Sequence, residues 1–168
     1  LKIINYIKQY RLTTLYDMDI KKINNLKVEI NYYEAIYTIG IASDRLGVSV
    51  HTLRQYETEG LILSHKTKTG RRIYSEMELD KVRCIKKMIQ EQGLNFEGIR
   101  QLMSLIPCWK IRSCCDNDYE ECKSYTSRKS PCWSTKEKCK HPYPDCRDCE
   151  VYRGLISCDD LKRFIYKL

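Results

Sequence analysis

Cysteine is the residue type with the clearest chemistry in this sequence of 168 residues. The chain has ten cysteines, and nine of them follow Pro107. Thiolates bind soft and borderline metals, four to a tetrahedral zinc ion or to an iron–sulfur cluster, and in oxidising compartments they form disulfides instead. The chain therefore has a cysteine-poor part and a cysteine-rich part, and we expect them to do different work.

The cysteine-rich part repeats itself. Pro-Cys-Trp stands at 107–109 and again at 131–133, and each copy continues with further cysteines and a tyrosine. Such a recurring order indicates a duplicated unit that carries ligands. The first copy has Cys108, Cys114, Cys122 and Tyr125, and the second has Cys132, Cys139, Cys149 and Tyr152. With two additional cysteines, the predicted metal ligands are Cys108, Cys114, Cys115, Cys122, Cys132, Cys139, Cys146 and Cys149.

The sequence constrains the identity of the group that these cysteines bind less than it constrains the position of the site. A tail of this size builds too small an apolar core to fold unaided, so metal or disulfides must support it. The first thirty residues lack the pattern of a secretory signal, and no apolar run approaches the roughly 18 residues of a membrane span. We therefore expect a cytoplasmic protein without a membrane partner. Its thiolates would bind an iron–sulfur cluster; zinc is the alternative, and disulfides or a direct thiol sensor remain open.

Two short helices are predicted before the cysteines. Thr38 can cap a helix that Gly47 ends, because glycine adopts the left-handed conformation common after helices. Ser49 can cap a second helix over residues 50 to about 60. Two short helices joined by Gly47-Val48-Ser49 form a helix-turn-helix.

A hairpin and two further helices follow. Residues 61–63 and 72–74 are short apolar or aromatic segments that flank the turn at 68–70, which is typical of a β-hairpin, or wing. Helices are then predicted from Ser75 to near Gly93, with Glu78 completing a capping box, and over 96–106, where a proline ends the helix.

The positive charge is spread over the whole chain, but its local distribution singles out the hairpin. The chain has a net charge of +8, and no acidic residue occurs between Gly60 and Glu76. A cationic run of this kind is typical of a loop that contacts phosphates or of one that is simply solvated. The basic residues of the run are His65, Lys66, Lys68, Arg71 and Arg72.

Five short motifs in this region resemble those of one family. They are Tyr-Thr-Ile-Gly at 37–40, Gly-Val at 47–48, Thr-Leu-Arg-Gln-Tyr-Glu at 52–57, Gly-Leu-Ile at 60–62 and Gly-Arg-Arg-Ile-Tyr-Ser at 70–75. In their order, residues 37–106 closely resemble the MerR-type transcription regulators. The resemblance implies a winged-helix DNA-binding domain, a homodimer and a two-fold symmetric promoter in double-stranded DNA, whose distortion assists RNA polymerase indirectly. The long pairing helix of that family is replaced here by Pro107 and the cysteines.

The chemistry of these residues suits DNA. A recognition helix needs short polar and cationic side chains near its N-terminus, and a wing needs cations that meet flanking phosphates. For Tyr56 a purely structural role in the core is the alternative, and Arg54 could pair with Glu57 or Asp44 instead of phosphate. The predicted DNA contacts are Ser49, His51, Thr52, Arg54 and Tyr56 in the helix, and Lys66, Lys68, Arg71, Arg72 and Tyr74 in the wing.

These patterns together predict a mainly α fold. An arm over 1–31, weakly ordered or a short helix, precedes a winged helix-turn-helix domain at 32–106. It is followed by an irregular, metal-dependent cysteine-rich module at 107–158 and by an amphipathic helix at 159–168.

The predicted function is sequence-specific DNA-binding regulation that responds to redox state or metal. The alternative is a cysteine-rich redox, electron-transfer or metal-binding protein whose helix-turn-helix docks another protein. We find no arrangement of catalytic residues, so no enzyme activity is predicted.

Overall fold

The computed structural model describes residues 31–111, 122–127, 129–135 and 145–154. The predicted arm, apart from Asn31, lies outside the described residues, and so does the predicted helix at 159–168. Four cysteines also lie outside them, namely Cys114, Cys115, Cys139 and Cys158. The part of the chain that is described is mainly helical.

The helix-turn-helix consists of α1 (Ile39–Leu46) and α2 (Val50–Thr58). Each begins at the predicted cap, because the side chains of Thr38 and Ser49 accept hydrogen bonds from backbone N–H groups three residues on, at 3.4 and 2.9 Å. Gly47 ends α1 with φ +59°, in the left-handed region that favours glycine. The predicted helix-turn-helix is confirmed, with α2 ending at Thr58 rather than near Gly60.

Three short antiparallel strands form the sheet that carries the wing. They are β1 (Tyr37–Thr38), β2 (His65–Lys66) and β3 (Arg72–Tyr74), in the order β1-β3-β2. His65 pairs with Ile73 across the wing. The prediction that residues 61–63 form the first wing strand is wrong. Leu61 and Ile62 are completely buried in the core, and the strand begins only where the chain emerges at His65.

Helices α3 (Glu76–Gln90) and α4 (Phe96–Ser104) complete this region. At the start of α3 the backbone N–H of Ser75 donates to Oε2 of Glu78 at 2.8 Å, as the sequence predicts. Asn95 caps α4 in the same way as Ser49 caps α2. The apolar core between α2, α3 and α4 includes Leu53, Leu61, Ile62, Leu79, Val82, Ile85 and Ile99, all at most 1% exposed.

The described part of the tail consists of short helical segments. These are α5 (Cys108–Ile111), α6 (Lys123–Ser127), α7 (Glu150–Arg153) and 3-10 turns at Cys132–Ser134 and Cys146–Asp148. Trp133, Val151 and Tyr152 are buried and belong to the same apolar cluster as the helix-turn-helix core. The tail therefore packs onto the helix-turn-helix region instead of forming its own apolar centre within the described residues. No helix in these ranges has the length and apolarity that a membrane crossing needs.

Candidate nucleic-acid interface

The N-terminal half of α2 presents a polar face to solvent. Ser49, His51 and Arg54 are exposed and Thr52 is half-buried, while Leu53 between them is completely buried. The hydroxyls of Ser49 and Thr52 lie 2.8 Å apart and hydrogen-bond to each other, which fixes both at the start of the helix. The structure thus brings these four predicted contacts together at one end of α2.

The wing tip presents three cations. Its turn is closed by hydrogen bonds of 2.9 Å between the backbone N–H of Thr67 and the carbonyl of Arg71, and between the N–H of Gly70 and the carbonyl of Thr67. Gly70 has φ +77°, as a glycine in such a turn permits. Lys66, Lys68 and Arg71 are exposed, and none of the three forms an ion pair with a described residue.

Arg72 and Tyr74 correct the predicted set of wing contacts. Both donate to the carboxylate of Glu57 on α2, Arg72 through Nε and Tyr74 through its hydroxyl, at 2.5 Å each. Tyr74 is 1% exposed, and burial together with Glu57 raises the pKa of its hydroxyl. Tyr74 therefore braces the wing against α2, and its buried hydroxyl does not face solvent as a phosphate contact would. Arg72 could reach a phosphate only in competition with Glu57.

Tyr56 is also corrected. It is 4% exposed and packs edge to face on Phe96, with ring centroids 5.7 Å apart. Burial raises the pKa of its hydroxyl. The structure favours the core role that the sequence left open, because a ring in this position anchors α2 on α4. The pairing of Arg54 with Glu57 is not observed, since Glu57 accepts from the wing residues instead.

The base of the wing is held by the tail. Trp133 donates its indole N–H to the carbonyl of Gly60 at 3.0 Å, and the hydroxyl of Tyr152 accepts from the backbone N–H of Leu63 at 2.9 Å. The rings of Trp133 and Tyr152 pack edge to face at 5.2 Å. The segment that leaves α2 and enters β2 is therefore fixed by side chains of the second cysteine repeat.

Buried charged groups lie beneath this contact. Lys81 on α3 is 3% exposed and donates to the backbone carbonyl of Tyr152, and burial lowers the pKa of its amine to about 7. Glu78 is completely buried, and its Oε1 lies 3.9 Å from Nε2 of His65. Burial and the nearby Arg147 lower the pKa of His65. The wing and the tail thus share one electrostatic environment.

The first cysteines of the two repeats meet. Cys108 and Cys132, each of which follows a proline, are within hydrogen-bonding distance through their thiols. This bond lowers the pKa of the Cys108 thiol to about 7, although burial opposes the shift. The pair lines a small cavity together with Met103, Ser124, Trp133 and Val151. Equivalent positions of the duplicated unit therefore converge on one point.

The remaining predicted ligands are only partly described. Cys122 and Cys149 are half-buried thiols and Cys146 is an exposed one. Cys84 on α3, which is not among the predicted ligands, is disulfide-bonded. In the described stretches no three His, Cys, Asp or Glu side chains lie close enough to hold a metal ion. Cys114, Cys115 and Cys139 are outside these stretches, so the ligand set stays a prediction.

Sequence reasoning missed the residues that join tail and wing. Glu57, Arg147, Trp133 and Tyr152 each contact the wing or its base. The twin Pro-Cys-Trp motif singled out Trp133, but neither composition nor periodicity indicates which backbone groups it reaches. Such contacts depend on tertiary packing, with 73 positions separating Trp133 from Gly60.

Comparison with known proteins places the helix-turn-helix region in a family. Residues 37–106 match the model described as "MerR HTH family regulatory protein". They are therefore a MerR-type helix-turn-helix domain, as the resemblance implied. The match includes the polar face of α2, the wing, α3 and α4, and it ends before the first Pro-Cys-Trp motif.

Several named relatives match the chain over 68 to 71 residues. The chain is 31% identical over 70 residues to a putative heat shock protein HspR of Streptomyces coelicolor, which is 42% of this chain and 46% of that one. It is 37% identical over 68 residues to the HTH-type transcriptional regulator GlnR of Bacillus cereus, covering 40% and 52% of the two chains. The mercuric resistance operon regulatory protein of Bacillus cereus is 37% identical over 71 residues, covering 42% and 53%. The chain spans about half the length of these curated relatives.

Proposed function

Because residues 37–106 are a MerR-type helix-turn-helix domain, we propose that this protein is a sequence-specific DNA-binding transcription regulator. In this proposal α2 enters the major groove and the wing contacts the phosphates beside it. The cysteine-rich tail supplies the response to metal or redox state.

The exposed cationic surface of α2 and the wing is the observation that carries the proposal. Most described arginines outside it are paired, for example Arg45 and Arg83 with Glu76, and Arg100 with Glu59. The surface cations Lys66, Lys68 and Arg71 have no such partner among the described residues. Unneutralised cations on a protruding hairpin are suited to a polyanion, and phosphate contacts of this kind dominate DNA affinity.

The two parts of this surface have different roles. His51 and Arg54 project from the first turns of α2, where the side chains of a recognition helix reach base edges. Ser49 and Thr52 are small enough to let the helix approach the backbone and can donate to a phosphate. The wing cations supply affinity without sequence information, so they make binding salt-dependent.

Dimerisation on a two-fold symmetric promoter belongs to the same proposal. A homodimer would place two copies of α2 in successive major grooves, which is why such operators are inverted repeats. Distortion of the promoter between the two copies would act on RNA polymerase indirectly. The relatives named above include transcription regulators, which supports the proposed role as a transcription regulator.

For the tail we propose an iron–sulfur cluster, with zinc as the alternative. The contact between Cys108 and Cys132 supports a site built from both repeats, because it brings one thiol of each repeat together. The other ligands would come from Cys114, Cys115, Cys122, Cys139, Cys146 and Cys149. A bound cluster would supply a redox-active centre whose state the tail can register.

Selection from a random pool of duplex DNA tests the DNA-binding proposal. We expect the full-length chain, purified without oxygen, to enrich an inverted repeat and to bind it more weakly as salt is raised. Equal binding of all duplexes would contradict the proposal and would favour the alternative of a docking module. The colour, iron, sulfide and zinc content of the same preparation distinguish a cluster from zinc.

A further inference from the structure

We propose that Trp133 and Tyr152 are positioning residues for the wing, and that through them the second cysteine repeat determines where the wing cations meet DNA. The inference rests on the proposed function, because the position of the wing matters only if the wing contacts a duplex. It connects the cysteines of the tail, through direct contacts, to the surface of the protein that would bind DNA.

The segment between α2 and β2 depends on the tail for its hydrogen bonds. Its carbonyl at Gly60 accepts from Trp133, its N–H at Leu63 donates to Tyr152, and its carbonyl at Ser64 accepts from Arg147. A buried backbone group without a partner is costly, so each bond restricts the path of the segment. The wing strand β2 starts at the next residue and follows that path.

Packing restricts the segment further. Tyr152 is 1% exposed and Trp133 is 7% exposed. Gly60 has φ +69°, and a Cβ built on it would lie 2.5 Å from Cβ of Ser134, the residue after Trp133. The approach of tail and segment is therefore close enough to require glycine, and a displacement of the turn at Cys132–Ser134 must displace the segment too.

The first repeat contains the same aromatic pair in a different place. Trp109 and Tyr125 pack edge to face at 4.8 Å, as Trp133 and Tyr152 do at 5.2 Å. Trp109 and Tyr125 are half-buried, whereas the second pair is buried against the wing base. Duplication has therefore produced two similar pairs, of which the second is seated on the DNA-binding domain. The first serves as a matched control.

The two positioning residues are adjacent to sulfur. Cys132 precedes Trp133 in the same 3-10 turn, and Cys149 is the N-cap of α7, which carries Tyr152. A change in what these two sulfurs bind would therefore act on the turn and the helix that hold the wing base. Regulation would thus reach the wing through the second repeat.

The salt dependence of binding to a duplex selected by the unmodified full-length chain tests this inference. Affinity falls as salt rises, and the magnitude of the slope of log affinity against log salt, called the salt slope here, falls by about 0.9 for each phosphate that the protein no longer neutralises. We expect Tyr152→Phe, which removes only the acceptor for Leu63, to lower the slope by between about 1 and about 3. Its preferred sequence should stay the same, because α2 keeps its position in the groove. Tyr125→Phe should keep the unmodified slope.

A combined variant separates positioning from general damage. In a chain that carries Lys66→Ala, Lys68→Ala and Arg71→Ala, adding Tyr152→Phe should change the slope no further, because the cations that it repositions are already absent. Circular dichroism confirms that each variant is folded. If Tyr152→Phe does not fold, Arg147→Ala, which releases Ser64, should lower the slope in the same way.

The outcomes distinguish the two proposals. A chain that selects no sequence contradicts the proposed function and this inference with it. A chain that selects a duplex, but whose Tyr152→Phe and Arg147→Ala variants keep the unmodified slope, contradicts the inference alone. So does a further decrease in slope when Tyr152→Phe is added to the triple variant.

Discussion

The indole N–H of Trp133 donates to the carbonyl oxygen of Gly60 at 3.0 Å and joins residues 73 positions apart in the chain. Gly60 lies at the exit of α2, and Trp133 lies beside a cysteine of the tail. The bond therefore connects the two parts that the sequence separates by composition. It also makes the exit of α2 sensitive to substitution.

Gly60→Ala should destabilise the fold more than Gly70→Ala. Both glycines have positive φ, so both variants carry backbone strain of about 1–2 kcal/mol. At Gly60 the new Cβ also meets Ser134 at 2.5 Å, whereas at Gly70 it meets nothing within 4 Å. We expect an additional cost of about 1–3 kcal/mol at Gly60, measured by urea unfolding. Equal costs would show that the tail does not approach the segment as described.

Tyr74→Phe should affect stability but not DNA binding. The hydroxyl that it removes is buried on Glu57, so we expect a decrease of about 1–2 kcal/mol in the free energy of unfolding. The salt slope for a selected duplex should be unchanged, because the ion pair of Arg72 with Glu57 still holds the wing on α2. A reduced slope in the folded variant would restore Tyr74 as a phosphate contact.

Lys68→Ala should affect DNA binding but not stability. Its side chain is exposed at the wing tip, so removing it should leave the free energy of unfolding within about 0.5 kcal/mol. The salt slope should fall by about 0.9, because the variant neutralises one phosphate fewer. Arg83→Ala, whose guanidinium pairs with Glu76 and Asp80, is the control that should keep the slope. If the two variants behave alike, the wing is not the phosphate-contacting surface.

Lys81 should make stability depend on pH above neutrality. Burial lowers its pKa from 10.5 to about 7, so between these values the unfolded chain binds more protons than the folded one. The free energy of unfolding therefore rises with pH in this window, by at most about 1.4 kcal/mol per pH unit. Urea unfolding at pH 7, 8 and 9 should show a steeper rise for the unmodified chain than for Lys81→Met. Parallel curves would mean that the amine is solvated.

Cys108→Ser and Cys132→Ser should each lower the metal content of anaerobically purified protein. The two thiols are in contact, and a serine hydroxyl is a poor ligand for a soft metal. Ser124→Ala changes another residue that lines the same cavity and should keep the full metal content. Unchanged iron or zinc in both cysteine variants would remove this pair from the proposed ligand set.

Local signals explain what the sequence could predict. Thr38, Gly47 and Ser49 determine the bounds of α1 and the start of α2 through caps and a left-handed turn, whose preferences are independent of the rest of the chain. The motifs at 37–75 added the wing and its cations. These are properties of short stretches, and residue type and spacing record them directly.

The errors concern side chains whose role depends on distant partners. Tyr74 has the same local sequence whether it faces DNA or Glu57, and only the packing of β3 on α2 decides between them. Leu61 and Ile62 have the apolar character of a strand, but both are completely buried in the core before the wing strand begins. The docking of Trp133 and Tyr152 on the wing base has no local signal at all.

Discrimination between two duplexes tests the central claim most directly. The full-length chain should bind its selected duplex at least about 10³-fold more tightly than a scrambled duplex of equal length, at one salt concentration. His51→Ala combined with Arg54→Ala should reduce that ratio by about 5- to 150-fold or more, because these two exposed side chains are the ones that would contact base edges from α2. A ratio that is the same for the unmodified chain and the double variant would contradict the account, because α2 would then not read the bases.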